Sequence, residues 1–206
     1  MEHSFLNGEN LPVMESFYTL QGEGFHSGQA AYFVRLSGCD VGCVWCDVKE
    51  SWETQNNQIK SIDEIVNLAV TYPSKFVVLT GGEPAMYNLN ELVNKLKENK
   101  MYVAIETSGV YSLNGDVDWY TFSPKKFKKP CEEAYKRANE LKVIIYNKSD
   151  FNWALEHQAK VNSSCLLYLQ PEWSKLDEMT PLIVDFIKEN PSWKLSLQSH
   201  KYINIP

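Results

Sequence analysis

The sequence lacks the features that membrane, secreted and nucleic-acid-binding proteins require. No apolar run approaches the roughly 18–20 residues that a helix needs to cross a bilayer. Residues 1–12 contain neither a basic start nor an apolar stretch, so no secretion signal is predicted. The formal net charge of −6 argues against a general nucleic-acid binder, whose surface should be basic. We therefore expect a cytoplasmic protein that has neither a membrane nor a nucleic acid as its partner.

Internal repeats, low-complexity tracts and linkers are also missing. Because 206 residues suffice for one well-buried domain but not comfortably for two, we expect a single domain over residues 1–206. Apolar runs alternate with amphipathic patterns, which is typical of βαβ units around a mostly parallel sheet. Strands are predicted at 30–36, 75–79, 102–105, 119–122, 141–145, 165–169 and 194–197. Helices are predicted at 61–72, opening on a capping box of Ser61 and Glu64, at 89–99, and at 180–189 with Pro181 in the first turn.

Polar motifs follow five of these strands, at 80–84, 106–109, 123–125, 170–171 and 198–200. Ligands bind at the carboxyl ends of the strands in barrels and open parallel sheets, so the five motifs predict one shared pocket. A complete eightfold barrel typically needs about 250 residues. The predicted fold is therefore α/β, a partial TIM-type barrel or strongly curved open sheet with mostly parallel strands.

Cysteine is scarce, and three of the five cysteines fall within eight positions. Cys39, Cys43 and Cys46 follow a predicted strand directly. Their Cys-x3-Cys-x2-Cys spacing can hold three corners of a [4Fe–4S] cluster, with Gly38 and Gly42 easing the tight turns. Because a fourth nearby cysteine is absent, one iron would stay open to a ligand, as a catalytic metal site requires.

Two alternatives remain for these cysteines. A structural zinc ion would want four ligands, and His26, 13 residues upstream of Cys39, could supply the fourth. The thiols could also be unmetallated core residues. Of the remaining two cysteines, Cys165 begins an apolar run and is predicted to lie in the core, whereas Cys131 has no identifiable partner.

On these residues the sequence resembles the radical S-adenosylmethionine (SAM) enzymes. That family has the same cysteine spacing with an aromatic residue before the last cysteine, here Trp45, and a Gly-Gly-Glu-Pro motif, here at 81–84. The resemblance implies that the open iron chelates SAM, which one electron splits into methionine and a 5′-deoxyadenosyl radical. It also implies that the Gly-Gly-Glu-Pro motif supports the amino group of the cofactor. Its glycines allow close backbone approach, and Glu83 offers a carboxylate to an ammonium.

The similarity extends over nearly the whole chain to the deazaguanine-forming members of that family. It covers the motifs at 19–24, 33–39, 46–47, 80–84, 106–109, 123–125, 170–171 and 198–206. It implies conversion of 6-carboxy-5,6,7,8-tetrahydropterin to 7-carboxy-7-deazaguanine with loss of ammonia, a carbon–nitrogen lyase reaction of queuosine biosynthesis. The adenosyl radical would remove the C6 hydrogen and later recover it, so that SAM is used catalytically.

The resemblance also implies roles for individual residues. Cys39, Cys43 and Cys46 would be catalytic. The cofactor-binding set would be Cys39, Cys43, Trp45, Cys46, Asp47, Gly82, Glu83, Ser108, Ser123, Pro124, Lys125, Gln170 and Pro171. The substrate-binding set would be Leu20, Gln21, Gly22, Glu23, Arg35, Thr80 and Pro206. The Arg35 fork suits a carboxylate, although a strand arginine can also simply extend to solvent. A carboxylate on Pro206 would bind the pterin, and an added residue there should weaken substrate binding.

One departure concerns magnesium. The family commonly has threonine after Cys-Asp, whereas this sequence has Val48, which offers no side-chain oxygen. Magnesium prefers six oxygen ligands, so Asp47 or an extra water would have to replace the missing one. We therefore expect a weaker or different magnesium dependence, with Asp47 as the remaining candidate ligand.

The basic run at 125–129 is unusual in an acidic chain. It is either a solvated loop or a segment that borders the pocket or the docking site of a flavodoxin or ferredoxin-type reductant. The resemblance further implies a homodimer. Two rival functions remain: an activase that abstracts hydrogen from a glycine of a partner enzyme, and a zinc-stabilised binding module. The activase would not need the motifs at 21–24 and 200–206.

Overall fold

A nine-stranded sheet carries the fold in the computed structural model, which describes residues 8–55 and 58–206. The strands are β1 Asn10–Leu20, β2 Ala30–Leu36, β3 Ile59–Ser61, β4 Phe76–Gly81, β5 Tyr102–Thr107, β6 Trp119–Phe122, β7 Glu140–Ile145, β8 Leu166–Pro171 and β9 Trp193–Leu195. The helices are α1 Ile62–Ala69, α2 Asn90–Glu98, α3 Glu132–Arg137, α4 Ser149–Gln158, α5 Leu176–Glu189 and α6 Ser199–Ile203. Within the described ranges no helix is long and apolar enough to span a membrane.

The sheet is open and mostly parallel. Its order is β3-β1-β2-β4-β5-β6-β7-β8-β9. Strands β2 and β4–β9 run parallel to one another, and β1 is antiparallel to both β2 and β3. Because β3 and β9 form two separate edges, the barrel is incomplete, which confirms the predicted fold. The parallel register brings the carboxyl ends of the strands to one edge, where Arg35 pairs with Thr80.

The two faces of the sheet bury different layers. Alternate residues of β2 point outward and join a large core with the helices, whereas Ala31 and Phe33 point inward. The inner face begins with rings at the amino ends of the strands, where His26 lies 4.7 Å from Phe76 and 4.8 Å from Trp119 between ring centroids. We call His26, Phe76, Trp119 and their neighbours Phe25 and Tyr102 the aromatic layer. Polar residues follow it toward the carboxyl ends.

Several predicted elements are confirmed. The strands at 30–36 and 119–122 have the predicted bounds, and the other predicted strands are present with shifted ends. Ser61 and Glu64 form the predicted capping box of α1. Cys165 is buried in the outer core, also as predicted.

One helix prediction is wrong in its start. Helix α5 begins at Leu176 rather than at 180, because the chain enters it through a short 3-10 turn at Trp173–Lys175. Pro181 therefore lies inside the helix and not in its first turn. A proline there removes one backbone donor. The preceding Thr180 hydroxyl donates to the Leu176 carbonyl at 2.6 Å.

Candidate functional site

A cavity of about 440 Å³ opens at the carboxyl ends of the parallel strands. Strand ends and the loops that follow them build its wall, as expected for an open parallel sheet. The predicted site residues on this wall are Leu20, Gln21, Gly22, Glu23, Arg35, Cys39, Cys43, Trp45, Cys46, Asp47, Thr80, Gly82, Glu83, Ser108, Ser123, Lys125, Gln170, Pro171 and Pro206. Of the predicted residues, Pro124 alone is not part of the wall. The cavity thus gathers motifs from both ends of the chain.

The three clustered cysteines lie in the loop after β2, and all face the cavity as free thiols. Burial raises the pKa of Cys39 and raises that of Cys43 to about 11. Across residues 8–55 and 58–206, no three His, Cys, Asp or Glu side chains come together closely enough to hold one ion. A cubane binds each thiolate through a different iron, so its ligands stand further apart than those of one ion. Three free thiols on one cavity wall are the ligand set that a cluster bound by three cysteines would use.

Backbone hydrogen bonds hold the start of this cysteine loop. The Gly38 N–H donates to the Ser51 carbonyl at 2.6 Å, and the Cys39 N–H donates to the Trp52 carbonyl at 3.2 Å. Gly38 has a φ of 94°, and a Cβ there would lie 2.1 Å from the Tyr87 hydroxyl oxygen. Both the left-handed backbone and the close approach therefore require glycine at this position.

Gly82 lets the end of β4 lie directly against the cysteine loop. A Cβ at Gly82 would lie 2.2 Å from the Gly38 carbonyl oxygen and 2.9 Å from the Cys39 Cβ. The Glu83 N–H donates to the same Gly38 carbonyl at 2.9 Å, and the Gly82 N–H donates to the Leu36 carbonyl at 2.8 Å. The glycine backbone at the end of β4 therefore contacts the cysteine loop directly, and backbone hydrogen bonds hold the two segments together.

The Glu83 carboxylate is 1% exposed and is directed at donors of this chain. It accepts the Ser108 N–H at 2.8 Å and the Ala85 N–H at 3.1 Å, together with the hydroxyls of Thr107 and Ser108. A carboxylate has about four acceptor positions, and these four donors fill them. Glu83 therefore joins the ends of β4 and β5, which differs from our expectation of a carboxylate open to an ammonium.

An ion-pair network forms the floor of the cavity. Lys142, on β7, pairs with Glu23 and, at 3.0 Å, with Glu106. The Gln21 amide donates to Glu106 at 2.8 Å, and the Gln198 amide donates to Glu23 at 2.9 Å. We call these five residues the floor network. Sequence reasoning missed Lys142, and the available signal was a lysine within the apolar run 141–145.

Electrostatics explains the charge states in the floor network. Burial by itself would raise the pKa of Glu23, but the Lys142 charge and the hydrogen bonds from Lys142 and Gln198 lower it to about 2. Burial likewise would lower the pKa of Lys142, but Glu106, Glu23 and Glu140 raise it above its usual value. Glu23 and Lys142 are therefore both ionised at neutral pH.

Arg35 is partly fixed before any ligand binds. Its Nε donates to a Glu15 carboxylate oxygen at 2.6 Å, and its guanidinium carbon lies 5.8 Å from the centre of the Phe17 ring. Because Arg35 also lines the cavity, it does not simply extend to solvent. Its remaining N–H groups can donate to a ligand.

Comparison with known proteins agrees with this site. Residues 33–146, more than half of the chain, match the Radical SAM superfamily model. A 7-carboxy-7-deazaguanine synthase of Flavobacterium psychrophilum is 56% identical over 97% of this chain and 94% of its own length. One of Synechocystis is 46% identical over 95% and 94%. The crystal structure of QueE from Escherichia coli matches with a TM-score of 0.86 at 31% identity, over 96% of this chain and 98% of that chain.

The chain belongs to the 7-carboxy-7-deazaguanine synthase family of radical SAM enzymes.

Membership decides between the alternatives for the cysteines. A radical SAM enzyme uses a [4Fe–4S] cluster and SAM, so the zinc module and the glycine-directed activase are not supported. The structure also removes the fourth zinc ligand, because His26 lies in the aromatic layer and its Nδ1 is 3.1 Å from the Gln29 side-chain oxygen. Cys131 directly precedes α3 and packs against the outer core.

The C-terminal segment of this 7-carboxy-7-deazaguanine synthase family member covers the loop after β1. The Ser199 N–H donates to the Gly22 carbonyl at 3.0 Å, and a Cβ at Gly22 would lie 2.1 Å from the His200 Nδ1. Lys201 pairs with Asp47 at 3.0 Å. The segment therefore connects the substrate loop predicted at 20–23 to the cysteine loop.

The basic run lies beside the cysteine loop of the enzyme. Lys128 pairs with Asp40 at 2.6 Å, and the Phe127 ring lies 6.0 Å from that of Trp45. Lys125 is half-buried, loss of solvation lowers its pKa, and its ammonium lies 5.8 Å from the centre of the Trp45 ring. Phe127 is nonetheless 41% exposed. The run is therefore attached to the cysteine loop through Lys128 and Phe127, while Lys126 and Lys129 are exposed.

Proposed function

We propose that this enzyme converts 6-carboxy-5,6,7,8-tetrahydropterin to 7-carboxy-7-deazaguanine and ammonia in queuosine biosynthesis, with SAM used catalytically. The observation that carries the proposal is one cavity in which three free thiols, an arginine and a half-buried carboxylate pair line the same wall. Proteins of this name from two bacteria align with nearly the whole chain.

Three groups of residues in the cavity would bind the cluster, SAM and the pterin, respectively. Cys39, Cys43 and Cys46 would hold the cluster. Gly82, Ser108, Ser123, Lys125, Gln170 and Pro171 would surround SAM, and Leu20, Gln21, Gly22, Glu23, Arg35, Thr80 and Pro206 would contact the pterin. When bound, the reduced cluster and SAM supply the one-electron chemistry that starts the reaction. The chain itself orients the substrate and excludes water.

Arg35 would orient the substrate through its carboxylate. The contacts to Glu15 and Phe17 fix the side chain, and the free edge of the guanidinium can form two parallel bonds to a carboxylate. The N–H donors of the pterin ring would then face Glu23 and Glu106. The cavity therefore has a cation, Arg35, on one wall and two carboxylates on its floor. This arrangement of charges suits a molecule that has an acidic substituent and a ring with several N–H donors.

Anaerobic turnover tests the function. Reconstituted enzyme with dithionite, SAM and the carboxytetrahydropterin should form the deazaguanine, detected by chromatography and mass, without consuming a stoichiometric amount of SAM. The Cys43→Ala variant is the control and should form none. Absence of product from the wild-type enzyme with a full cluster would contradict the proposal.

Magnesium dependence should be weak or altered. Val48 faces the cavity without a side-chain oxygen, and Asp47 is already paired with Lys201. The side chains present therefore do not fit a tightly held magnesium ion, which prefers six oxygens. A strong magnesium requirement at low concentration, measured after treatment with chelator, would contradict this proposal.

The exposed end of the basic run would receive an acidic flavodoxin or ferredoxin-type reductant. Lys129 is exposed, whereas Lys128 pairs with Asp40 in the cysteine loop, so Lys129 is the cleaner probe. Lys129→Gln should slow flavodoxin-driven turnover and leave dithionite-driven turnover unchanged. The control is Lys188→Gln, which alters an exposed lysine of α5. Equal flavodoxin-driven rates in both variants would exclude docking at Lys129.

We also propose a homodimer in the cytoplasm, on the strength of the family resemblance. Light scattering coupled to size-exclusion chromatography would measure the mass, and a monomer at micromolar concentration would contradict the dimer.

A further inference from the structure

We propose that Lys142 is a positioning residue of the reaction, which holds Glu23 and Glu106 as a carboxylate pair to accept the N–H groups of the pterin ring. This proposal rests on the proposed function and extends it to Lys142, which the sequence pattern did not single out.

Lys142 is placed to bridge the two carboxylates. It points inward from the middle of β7, its side chain is 3% exposed, and it lines the cavity together with Glu23 and Glu106. Its ammonium donates to an oxygen of each carboxylate. An ammonium has three donors, so both bonds can form at once.

The second oxygen of each carboxylate is held as well. Gln21 donates to Glu106, and Gln198 donates to Glu23. The floor network therefore joins the loop after β1, strands β5 and β7, and the segment before α6. Substrate acceptors that are held from several elements keep their geometry when the ligand binds, which reduces the ordering cost of binding.

The acceptor positions on the floor differ from those of Glu83. Within the described part of the chain, Glu23 and Glu106 each accept two hydrogen bonds, whereas Glu83 accepts four. A carboxylate has about four acceptor positions, so the floor carboxylates retain positions for a ligand and Glu83 does not. Donor groups of a bound ring would therefore be received by Glu23 and Glu106.

The charge balance requires a cation between these acids. Two half-buried carboxylates that share a site repel each other, and without a cation one of them keeps a proton to higher pH. Glu140 also faces Lys142 from β7, and burial raises the pKa of Glu140. On the other side, half-buried Lys125 adds positive charge, and His200 faces Glu23 from α6. With Lys142 in place, Glu23 and Glu106 can both accept hydrogen bonds.

The test is the Lys142→Met variant, which keeps a long side chain and removes the charge. We expect KM for the pterin to rise about 10- to 100-fold at pH 7, the loss expected for hydrogen bonds to charged groups. Iron content and SAM affinity should stay at the wild-type values. KM should fall again as pH rises, because the carboxylate pair then loses its retained proton. The control is Lys194→Met, which alters an exposed lysine of β9 and should leave KM unchanged.

A purely structural role predicts a different pattern. It would lower iron content, SAM affinity and kcat together, without a pH-dependent recovery of KM, and that result would overturn the proposal, as would an unchanged KM. If Lys142→Met does not fold, Glu23→Gln keeps the shape and removes one acceptor. It should weaken pterin binding about 10-fold or more, and unchanged binding would refute the proposal. Failure of wild-type turnover would refute the proposed function itself, which distinguishes the two.

Discussion

The contact between Gly82 and the cysteine loop allows a quantitative prediction for Gly82→Ala. The added methyl carbon would lie 2.2 Å from the Gly38 carbonyl oxygen, whereas close carbon–oxygen contacts are about 3.3 Å or longer. One partner must therefore move by about 1 Å. Gly82 does not have a positive φ, so the effect of the substitution comes from this contact and not from backbone strain.

The displacement should affect both stability and cluster binding. Overpacking costs about 1–3 kcal/mol. The hydrogen bond from the Glu83 N–H to the Gly38 carbonyl would weaken at the same time, at a cost of about 1 kcal/mol. Urea denaturation should show the sum, roughly 2–4 kcal/mol. Because Gly38 directly precedes Cys39, anaerobic reconstitution should give clearly less iron per chain than the wild type, together with reduced turnover.

Gly28→Ala is the matched control. Gly28 has a φ of 86°, and no atom lies within 4 Å of the position that a Cβ would take. The variant should lose about 1–2 kcal/mol through left-handed backbone strain and keep the wild-type iron content. Wild-type iron content in Gly82→Ala, or an equal loss of iron in the two variants, would refute the steric reasoning.

Three further predictions concern buried carboxylates and magnesium. Glu83→Gln should cost about 1–3 kcal/mol in urea denaturation, because an NH₂ group would then face the Ser108 N–H; unchanged stability would contradict this. The pKa of Glu23 is lowered to about 2 in the folded state, so its contribution to stability should be complete above about pH 4.5 and lost as pH falls toward 2. Glu23→Gln should flatten the acid dependence of unfolding in that window, and an unaltered profile would contradict the assignment. Val48→Thr restores a hydroxyl beside Asp47 and should lower the magnesium concentration for half-maximal turnover, and an unchanged titration would exclude that position as a ligand.

Much of the fold and of the cavity wall could be predicted from the sequence, because polar motifs at strand ends meet wherever the sheet is parallel. The antiparallel strand β1 was not predicted, since Pro12 removes a donor and argues against a strand. The proline is tolerated because it lies where β1 pairs with the short edge strand β3. Helix α4 was also missed, because its sequence mixes polar and apolar residues and buries Asp150 and His157.

The floor network was only partly predictable, for a physical reason. Glu23 and Gln198 belong to the motifs predicted at 19–24 and 198–200, but Lys142 acquires its role from the face of the sheet that it occupies. A lysine in an apolar strand can extend to either face. Only the register of β7 in the curved sheet decides that Lys142 meets Glu106, which lies 36 positions earlier.

The aromatic layer limits how ligands can reach and leave the cavity. His26, Phe76 and Trp119 pack across the amino ends of the strands, below the floor network. With the proposed function, the pterin would enter and the ring-contracted product would leave through the opening at the opposite end of the strands. Substrate and product that reach the same cavity through one opening cannot occupy it together. The deazaguanine should therefore act as a competitive inhibitor against the pterin.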